Sequence, residues 1–127
     1  MIGFKNPRER SEYAELATKN PKLFDLLHDL VSYVQDTFKK DVVLTSVYRT
    51  AEEQAALYAK AVHKVLKSDH MSWEAVDLRS SIYTKGEIDS IVAYLNTKYK
   101  NRDGRRVALY HSVPGNVPHF HISLKST

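Results

Sequence analysis

The chain is organised around the stretch Ser68-Asp69-His70-Met71-Ser72-Trp73-Glu74-Ala75-Val76-Asp77, which carries an imidazole and a carboxylate. A second segment, Pro118-His119-Phe120-His121-Ile122-Ser123, places two imidazoles at alternate positions. Alternate side chains of a strand point to the same face, so we expect both of these histidines on one face of a sheet. If the two segments pair as neighbouring strands, about 4.8 Å apart, Asp77 and His121 can meet at one metal ion. His70, in the loop before the first strand, would complete the set.

These residue types predict a zinc site. Zinc binds imidazole and carboxylate ligands at about 2.0 to 2.2 Å, and a catalytic zinc uses three protein ligands and leaves a fourth position for water. Such an ion lowers the pKa of its water towards about 7, which supplies a nucleophile at neutral pH. The chain contains no cysteine, so disulfides and thiolate sites are excluded and any metal must be held by His, Asp or Glu.

Length and composition predict one domain over residues 1–127, with residues 1–20 as an N-terminal extension that packs on it or flanks it. No run of about 18 apolar residues is present, and the N-terminus lacks the apolar core of a secretory signal. We therefore expect a soluble monomer without membrane contact, either cytoplasmic or released by another route such as lysis. The net charge of +4 favours anionic partners, but the charges are scattered along the chain, so nucleic acid is not the expected partner.

Helix signals occur at several points. Asn20 precedes a proline in a typical helix start, and apolar residues at helical spacing then predict a helix over residues 21–39. Capping boxes, in which a threonine is followed three residues later by a glutamate, predict a helix from Thr50 to about residue 66 and another from Thr84 to about residue 101. A further short helix is expected near residues 8–17.

Strands are predicted between these helices. β-Branched residues indicate a strand over residues 41–49, and residues 75–79 form a second candidate. A turn at residues 114–116 joins two more, over residues 106–111 and 117–125, as a hairpin. We therefore predict an α+β domain with a small, largely antiparallel sheet that is covered by helices on one side.

Three motifs resemble those of a known family. Ser68-x-His70-x-x-Trp73-x-Ala75-x-Asp77 resembles the Ser-x-His-x-x-Gly-x-Ala-x-Asp motif of the zinc D-alanyl-D-alanine carboxypeptidase and L-alanyl-D-glutamate endopeptidase family. The pair His119-x-His121 is similar to the second motif of the wider superfamily, which includes lysostaphin-type peptidases and the hedgehog signalling domain. Val47-Tyr48-Arg49-Thr50 resembles the family's Gly-Tyr-Arg-Ser element. The resemblance covers about residues 42–125.

The resemblance implies a zinc peptidase of peptidoglycan stem peptides, which cleaves an amide that involves a D-amino acid as a carboxypeptidase or an endopeptidase. It implies that the zinc ligands are His70, Asp77 and His121. His119 would move a proton or stabilise the oxyanion. Arg49 would polarise the scissile carbonyl or hold a substrate carboxylate, and Ser68 would orient a ligand or touch the substrate.

The motifs depart from the family at two places. Enzymes of the carboxypeptidase branch carry a Glu or Asp as general base a few residues before the last histidine, whereas residues 115–118 contain no carboxylate. Proton transfer would then fall to His119, aided by His111, since a neutral imidazole suits that task. Trp73 stands where the family has glycine, which places a bulky ring near the site.

Other interpretations remain open. The absent carboxylate favours a non-catalytic zinc-bearing binding module of the hedgehog type, and the basic charge alone favours a metal-free nucleic-acid binder. The three ligand residues would in that last case satisfy ordinary hydrogen bonds. Arg49 has an alternative as a surface ion-pair partner of Glu52 or Glu53, and His119 has one as a group that only supports the metal ligands.

Overall fold

The computed structural model describes residues 1–57, 68–111 and 117–125. This part of the chain contains four α-helices, one short 3₁₀ helix and five strands, which confirms the predicted α+β class. The elements follow one another as β1 (Ile2–Phe4), α1 (Pro7–Lys19), α2 (Pro21–Phe38), β2 (Val42–Ser46), α3 (Ala51–Leu57), the 3₁₀ helix (Asp69–Ser72), β3 (Ala75–Arg79), α4 (Lys85–Lys98), β4 (Ala108–His111) and β5 (His119–Ser123).

The five strands form one mixed sheet in the order β1-β2-β3-β5-β4. β1 pairs with β2 in parallel, and the other three pairings are antiparallel. The predicted hairpin is present as the antiparallel pair β4 and β5, although its turn lies outside the described residues. The strands predicted over residues 41–49, 106–111 and 117–125 are shorter than predicted, because pairing stops before the flanking loops begin. The strand predicted over residues 75–79 has the expected bounds.

The pairing of β3 with β5 brings the two motif segments side by side. Asp77 lies opposite His121 and Arg79 lies opposite His119. Opposite residues in a ladder point to the same face of the sheet, so all four side chains share one face. The two motif segments therefore pair as neighbouring strands, as the sequence prediction of the site assumed.

The opposite face of the sheet carries the hydrophobic core. Val76, Leu78 and Phe120 alternate with the site residues along their strands and are at most 2% exposed. They pack with apolar residues of α1, α2 and α4, so these three helices lie on that face of the sheet. A fully buried side chain of this size contributes about 1.5 to 3 kcal/mol to folding. The candidate site residues therefore occupy the other face of the sheet.

The helix starts follow the capping signals. The Asn20 side chain accepts the N–H of Leu23 at the start of α2. Thr50 and Glu53 exchange the two hydrogen bonds of a capping box at α3, and Thr84 does the same with its glutamate at α4. α2 ends at Phe38 and α4 at Lys98, close to the predicted ends. The predicted end of the third helix, near residue 66, lies outside the described residues.

The first 20 residues are built into the sheet and its helical layer. β1 was not predicted, and it forms the sheet edge by pairing Ile2–Phe4 with the first three residues of β2. α1 confirms the short helix expected near residues 8–17 and extends it at both ends. Across the described residues, no helix combines the length and the apolar character needed to cross a membrane.

Candidate metal centre

The 3₁₀ helix positions the first candidate ligand. Ser68 caps this helix, because its hydroxyl oxygen accepts the backbone N–H of His70 at 3.2 Å. The imidazole of His70 is 1% exposed, so its ring has a fixed place inside the protein. Ser68 therefore acts on the ring of His70 through the backbone that carries it.

The ring orientation of His70 is set by a backbone carbonyl. Its Nδ1 lies 3.2 Å from the carbonyl oxygen of Val47, which can only accept, so Nδ1 carries the proton. The Nε2 lone pair is then directed at Oδ1 of Asp77, 3.1 Å away. A hydrogen bond from the distal nitrogen to a carbonyl is the usual support of a metal-binding histidine, because it selects the tautomer whose other nitrogen is free.

The third group reaches the same oxygen from the neighbouring strand. Nδ1 of His121 lies 3.2 Å from Oδ1 of Asp77, as the register of β3 and β5 requires. One ligand atom each from His70, Asp77 and His121 lies within 4.8 Å of the others. Ligand atoms of a tetrahedral zinc stand about 3.4 Å apart when each bond is near 2.1 Å. The two distances to Oδ1 of Asp77, 3.1 Å and 3.2 Å, are close to that value, so these three residues could hold a metal ion.

The chemistry of the converging atoms also fits a cation. In neutral rings with the metal-binding tautomer, both nitrogens that face Oδ1 are acceptors, as is the carboxylate oxygen itself. Three acceptors this close repel one another unless a positive charge lies between them, either a proton on a ring or a metal ion. The donor set of His70, Asp77 and His121 is therefore suited to an ion at its centre.

The second oxygen of the same carboxylate faces different partners. Oδ2 of Asp77 lies 3.7 Å from Nη2 of Arg49 and 3.5 Å from Nε2 of His119. Arg49 is held by Gln54, whose side-chain oxygen accepts from Nη1 at 2.7 Å. The carboxylate thus divides its two oxygens between the candidate ligands on one side and the two predicted catalytic residues on the other.

Within the described residues, Arg49 does not form the alternative ion pair with Glu52 or Glu53. Glu53 pairs instead with Arg8 of α1, which also donates to the carbonyl of Tyr48 at 2.9 Å. The guanidinium of Arg49 is thereby left to face the site. Its backbone N–H donates to the carbonyl of His70 at 3.3 Å, which ties the two site residues together.

The electrostatics of the site keep Asp77 ionised. Burial by itself would raise the pKa of this carboxyl, since Asp77 is 7% exposed. When protons on the rings take the place of a metal ion, the positive charge of His70 and the hydrogen bonds from His121 and His70 outweigh burial, with a smaller contribution from His119. They hold the pKa of Asp77 well below its usual range, so the group remains a carboxylate at every working pH.

A third and a fourth imidazole adjoin the centre. Nδ1 of His119 donates to the carbonyl of Val117 at 3.2 Å, which points its Nε2 towards Asp77. The ring of His111 lies 5.1 Å from that of His119 and 5.5 Å from that of His121. Partial burial, and then the nearby imidazoles of His121 and His119, lower the pKa of His111. The predicted hairpin is the feature of the sequence that indicates this contact, because its register sets His111 opposite His119.

Trp73 occupies a position that favours glycine. Its φ is +61°, in the left-handed region that side chains rarely adopt. The indole ring stacks on the ring of Tyr48 at 4.7 Å between centroids and 18° between planes. The stacking on Tyr48 explains how a tryptophan is accommodated in this conformation.

A cavity of about 580 Å³ opens beside the centre. Asp77, Arg49 and His119 contribute to its wall. Asp77 is the single carboxylate among the described residues that line it. A substrate in this cavity would contact both predicted catalytic residues.

Comparisons with protein-family models, with curated proteins and with solved structures found no match to this chain. The functional interpretation therefore depends on the geometry of the site and on the three short motifs.

Proposed function

We propose that the protein is a zinc-dependent peptidase that cleaves an amide bond in peptidoglycan stem peptides, next to a D-amino acid. The observation that carries this proposal is the convergence of His70 Nε2 and His121 Nδ1 on one oxygen of Asp77. We further propose that the domain shares the sheet arrangement of the D-alanyl-D-alanine peptidase and hedgehog superfamily, as its motifs suggest.

Zinc is the metal that this donor set favours. Two imidazoles and a carboxylate, with no thiolate in the chain, match the ligands of catalytic zinc sites. Three protein ligands leave a coordination position open. A zinc ion held there would supply a Lewis acid that polarises a carbonyl and acidifies water.

Arg49 is suited to hold the oxygen of the substrate. Gln54 fixes its guanidinium through Nη1, and Nη2 remains directed towards the carboxylate of Asp77 at the cavity wall. A planar guanidinium in a restrained position can donate to a carbonyl oxygen on which negative charge develops, or to a substrate carboxylate.

His119 is suited to move the proton. Its Nδ1 is engaged with a backbone carbonyl, so the ring is held while Nε2 faces the cavity beside Asp77. In amide hydrolysis the attacking water gives up a proton and the leaving nitrogen must receive one, and Nε2 is the atom of this ring that can accept the first and deliver the second. His111, at 5.1 Å between ring centroids, borders the same ring.

A second function is favoured by one observation. The described wall of the cavity offers no carboxylate besides Asp77, which is engaged by the candidate ligands, so the general base of the carboxypeptidase branch has no counterpart there. This supports a non-catalytic zinc-bearing binding module of the hedgehog type. The two functions share the metal and differ in turnover.

The decisive experiment is a digest of purified peptidoglycan and of synthetic stem peptides by the zinc-loaded protein, read by mass spectrometry. We expect peptide fragments whose masses identify the cleaved bond, with release of a single terminal residue for a carboxypeptidase and of an internal fragment for an endopeptidase. His119→Gln should lower the rate by about 10² to 10⁴ while zinc stays bound.

Two further results decide between the functions. His70→Ala should lose both zinc and cleavage, because the ion loses one of its ligands. If the zinc-loaded wild-type protein cleaves none of these substrates, the peptidase is refuted and the binding module takes its place.

A further inference from the structure

The cavity beside the metal centre carries an excess of positive charge. Besides Arg49, its wall includes Lys5, which follows β1, and Arg79, which ends β3. Within residues 1–57, 68–111 and 117–125, neither Lys5 nor Arg79 forms an ion pair with a carboxylate. Ionised side chains without a counter-ion at a concave surface attract anions. The cavity is therefore suited to a ligand with more negative charge than Arg49 alone could neutralise.

The sheet places these two cations at a defined distance from the metal centre. Arg79 lies two residues beyond Asp77 on the same face, which separates their backbones by about 6.7 Å. Lys5 is fixed by its backbone N–H, which donates to the carbonyl of Leu44 at 2.9 Å. It therefore continues β1 two strand spacings, or about 10 Å, from β3. The short side chain of Thr45, which also lines the cavity, stands between them.

Arg49 cannot fill both roles that a doubly charged substrate would need. Its Nη1 is engaged by Gln54, and its Nη2 faces Asp77 beside the candidate metal position. A group held by Arg49 therefore lies at the reaction centre. A second anionic group would lie farther along the cavity, where Lys5 and Arg79 are placed.

We propose that Lys5 and Arg79 form an anion subsite, separate from Arg49, that binds a substrate carboxylate located one or two residues from the cleaved amide. The distance follows from the sheet, since an extended peptide advances about 3.3 Å per residue. The guanidinium of Arg79 can hold a carboxylate by two parallel hydrogen bonds, and Lys5 adds a point charge. This inference rests on the proposed peptidase function and names its substrate class as acidic peptides.

The test compares acetylated D-alanine tripeptides that end in a carboxylate or in a carboxamide. Their binding to the full-length, zinc-loaded protein is measured by isothermal titration calorimetry. We expect the carboxylate peptide to bind at least about tenfold more tightly, as a charge-assisted contact requires. Arg79→Gln and Lys5→Gln should each reduce this preference several-fold, while Arg79→Lys should keep part of it.

The matched control is Arg102→Gln. It removes the same charge from an exposed residue that does not line this cavity, so it should leave the preference unchanged. An equal reduction in Arg102→Gln would mean that only the total charge of the protein matters, which overturns the subsite. An unchanged preference in both Arg79→Gln and Lys5→Gln would overturn it as well.

Cleavage assays on the same peptides separate this inference from the proposed function. We expect the preference for the carboxylate peptide to appear in KM and the Arg79→Gln variant to retain kcat. Cleavage of both peptides with equal KM would refute the subsite and leave the peptidase standing. Binding that depends on Arg79 without any cleavage would refute the peptidase and leave the subsite standing.

Discussion

Replacing Asp77 by asparagine keeps the size of the side chain and removes the charge on which the candidate metal centre depends. The carboxylate is 7% exposed and contacts His70 at 3.1 Å and His121 at 3.2 Å. An asparagine amide can still donate to these imidazole nitrogens, so we expect the metal-free variant to lose only about 1 to 2 kcal/mol of unfolding free energy. The larger effect should appear when zinc is added.

The size of that effect follows from the linkage between binding and folding. With free zinc at about 100 times the dissociation constant, a protein that binds one ion only when folded gains about 2.7 kcal/mol. Removing one of three ligands should weaken binding by at least about 100-fold, the upper end of the effect of losing a group that merely supports a ligand. The Asp77→Asn variant then gains about 0.4 kcal/mol at the same zinc concentration.

The assay is urea unfolding in zinc-buffered solution and in chelator, followed by the fluorescence of Trp73, the single tryptophan of the chain. Asp36→Asn is the matched control, because it makes the same change at an exposed position of α2 and should gain as much from zinc as the wild type does. Equal stabilisation of Asp77→Asn and the wild type by zinc, or no stabilisation of the wild type, would refute the assignment of Asp77 as a ligand.

Three further predictions concern the frame of the site. Asn20→Ala should cost about 3 kcal/mol in urea unfolding, since Asn20 is fully buried, caps α2 and donates to the backbone carbonyls of Trp73 and Leu124. Asn6→Ala, whose side chain makes no cap bond to α1, should cost less than half as much. Hydrogen bonds from Arg8 hold the pKa of Glu53 at about 2. The contribution of this carboxylate to the free energy of unfolding is therefore complete above the pKa of Glu53 in the unfolded chain, about 4.3, and is lost as pH falls through about 2. Because the Glu53 side chain is 38% exposed, Glu53→Gln should cost only about 0.5 to 1 kcal/mol at neutral pH, and a loss that persists at acid pH would contradict this account. His111 should titrate below about 6.5 in metal-free protein followed by NMR, and a pKa above that value would contradict the packing of the three imidazoles.

Local signals in the sequence were enough to predict the helix starts. The capping boxes at Thr50 and Thr84 satisfy backbone groups within four residues, so their geometry is independent of the remaining fold. The hairpin of β4 and β5 is similarly local. The meeting of Asp77 with His121 required one non-local assumption, the pairing of β3 with β5, which the strand register confirms.

Features that depend on distant partners were not predictable. β1 pairs in parallel with β2 across two intervening helices, and its three residues carry no distinctive pattern. Arg8 displaces Arg49 from Glu53 although 45 residues separate the pair, and nothing near Arg8 in the sequence indicates this partner. The same holds for Lys5 and Arg79, whose charges appear scattered along the chain and converge only on the folded sheet.

The division of the Asp77 carboxylate is the feature that links the frame to the chemistry. One oxygen faces His70 and His121, and the other faces Arg49 and His119. The ligand position and the predicted catalytic residues are thus fixed relative to one another by a single buried side chain on a central strand. Placement on a strand, rather than on a loop, restrains the geometry of these groups.

The most direct test of the central claim is the zinc content of the purified protein, measured by elemental mass spectrometry after dialysis against metal-free buffer. We predict about one zinc ion per chain in the wild type and close to none in His70→Ala and His121→Ala, because each variant removes one of three ligands. Wild-type protein that retains no zinc, or variants that retain as much as the wild type, would contradict the claim that these three side chains form the metal centre.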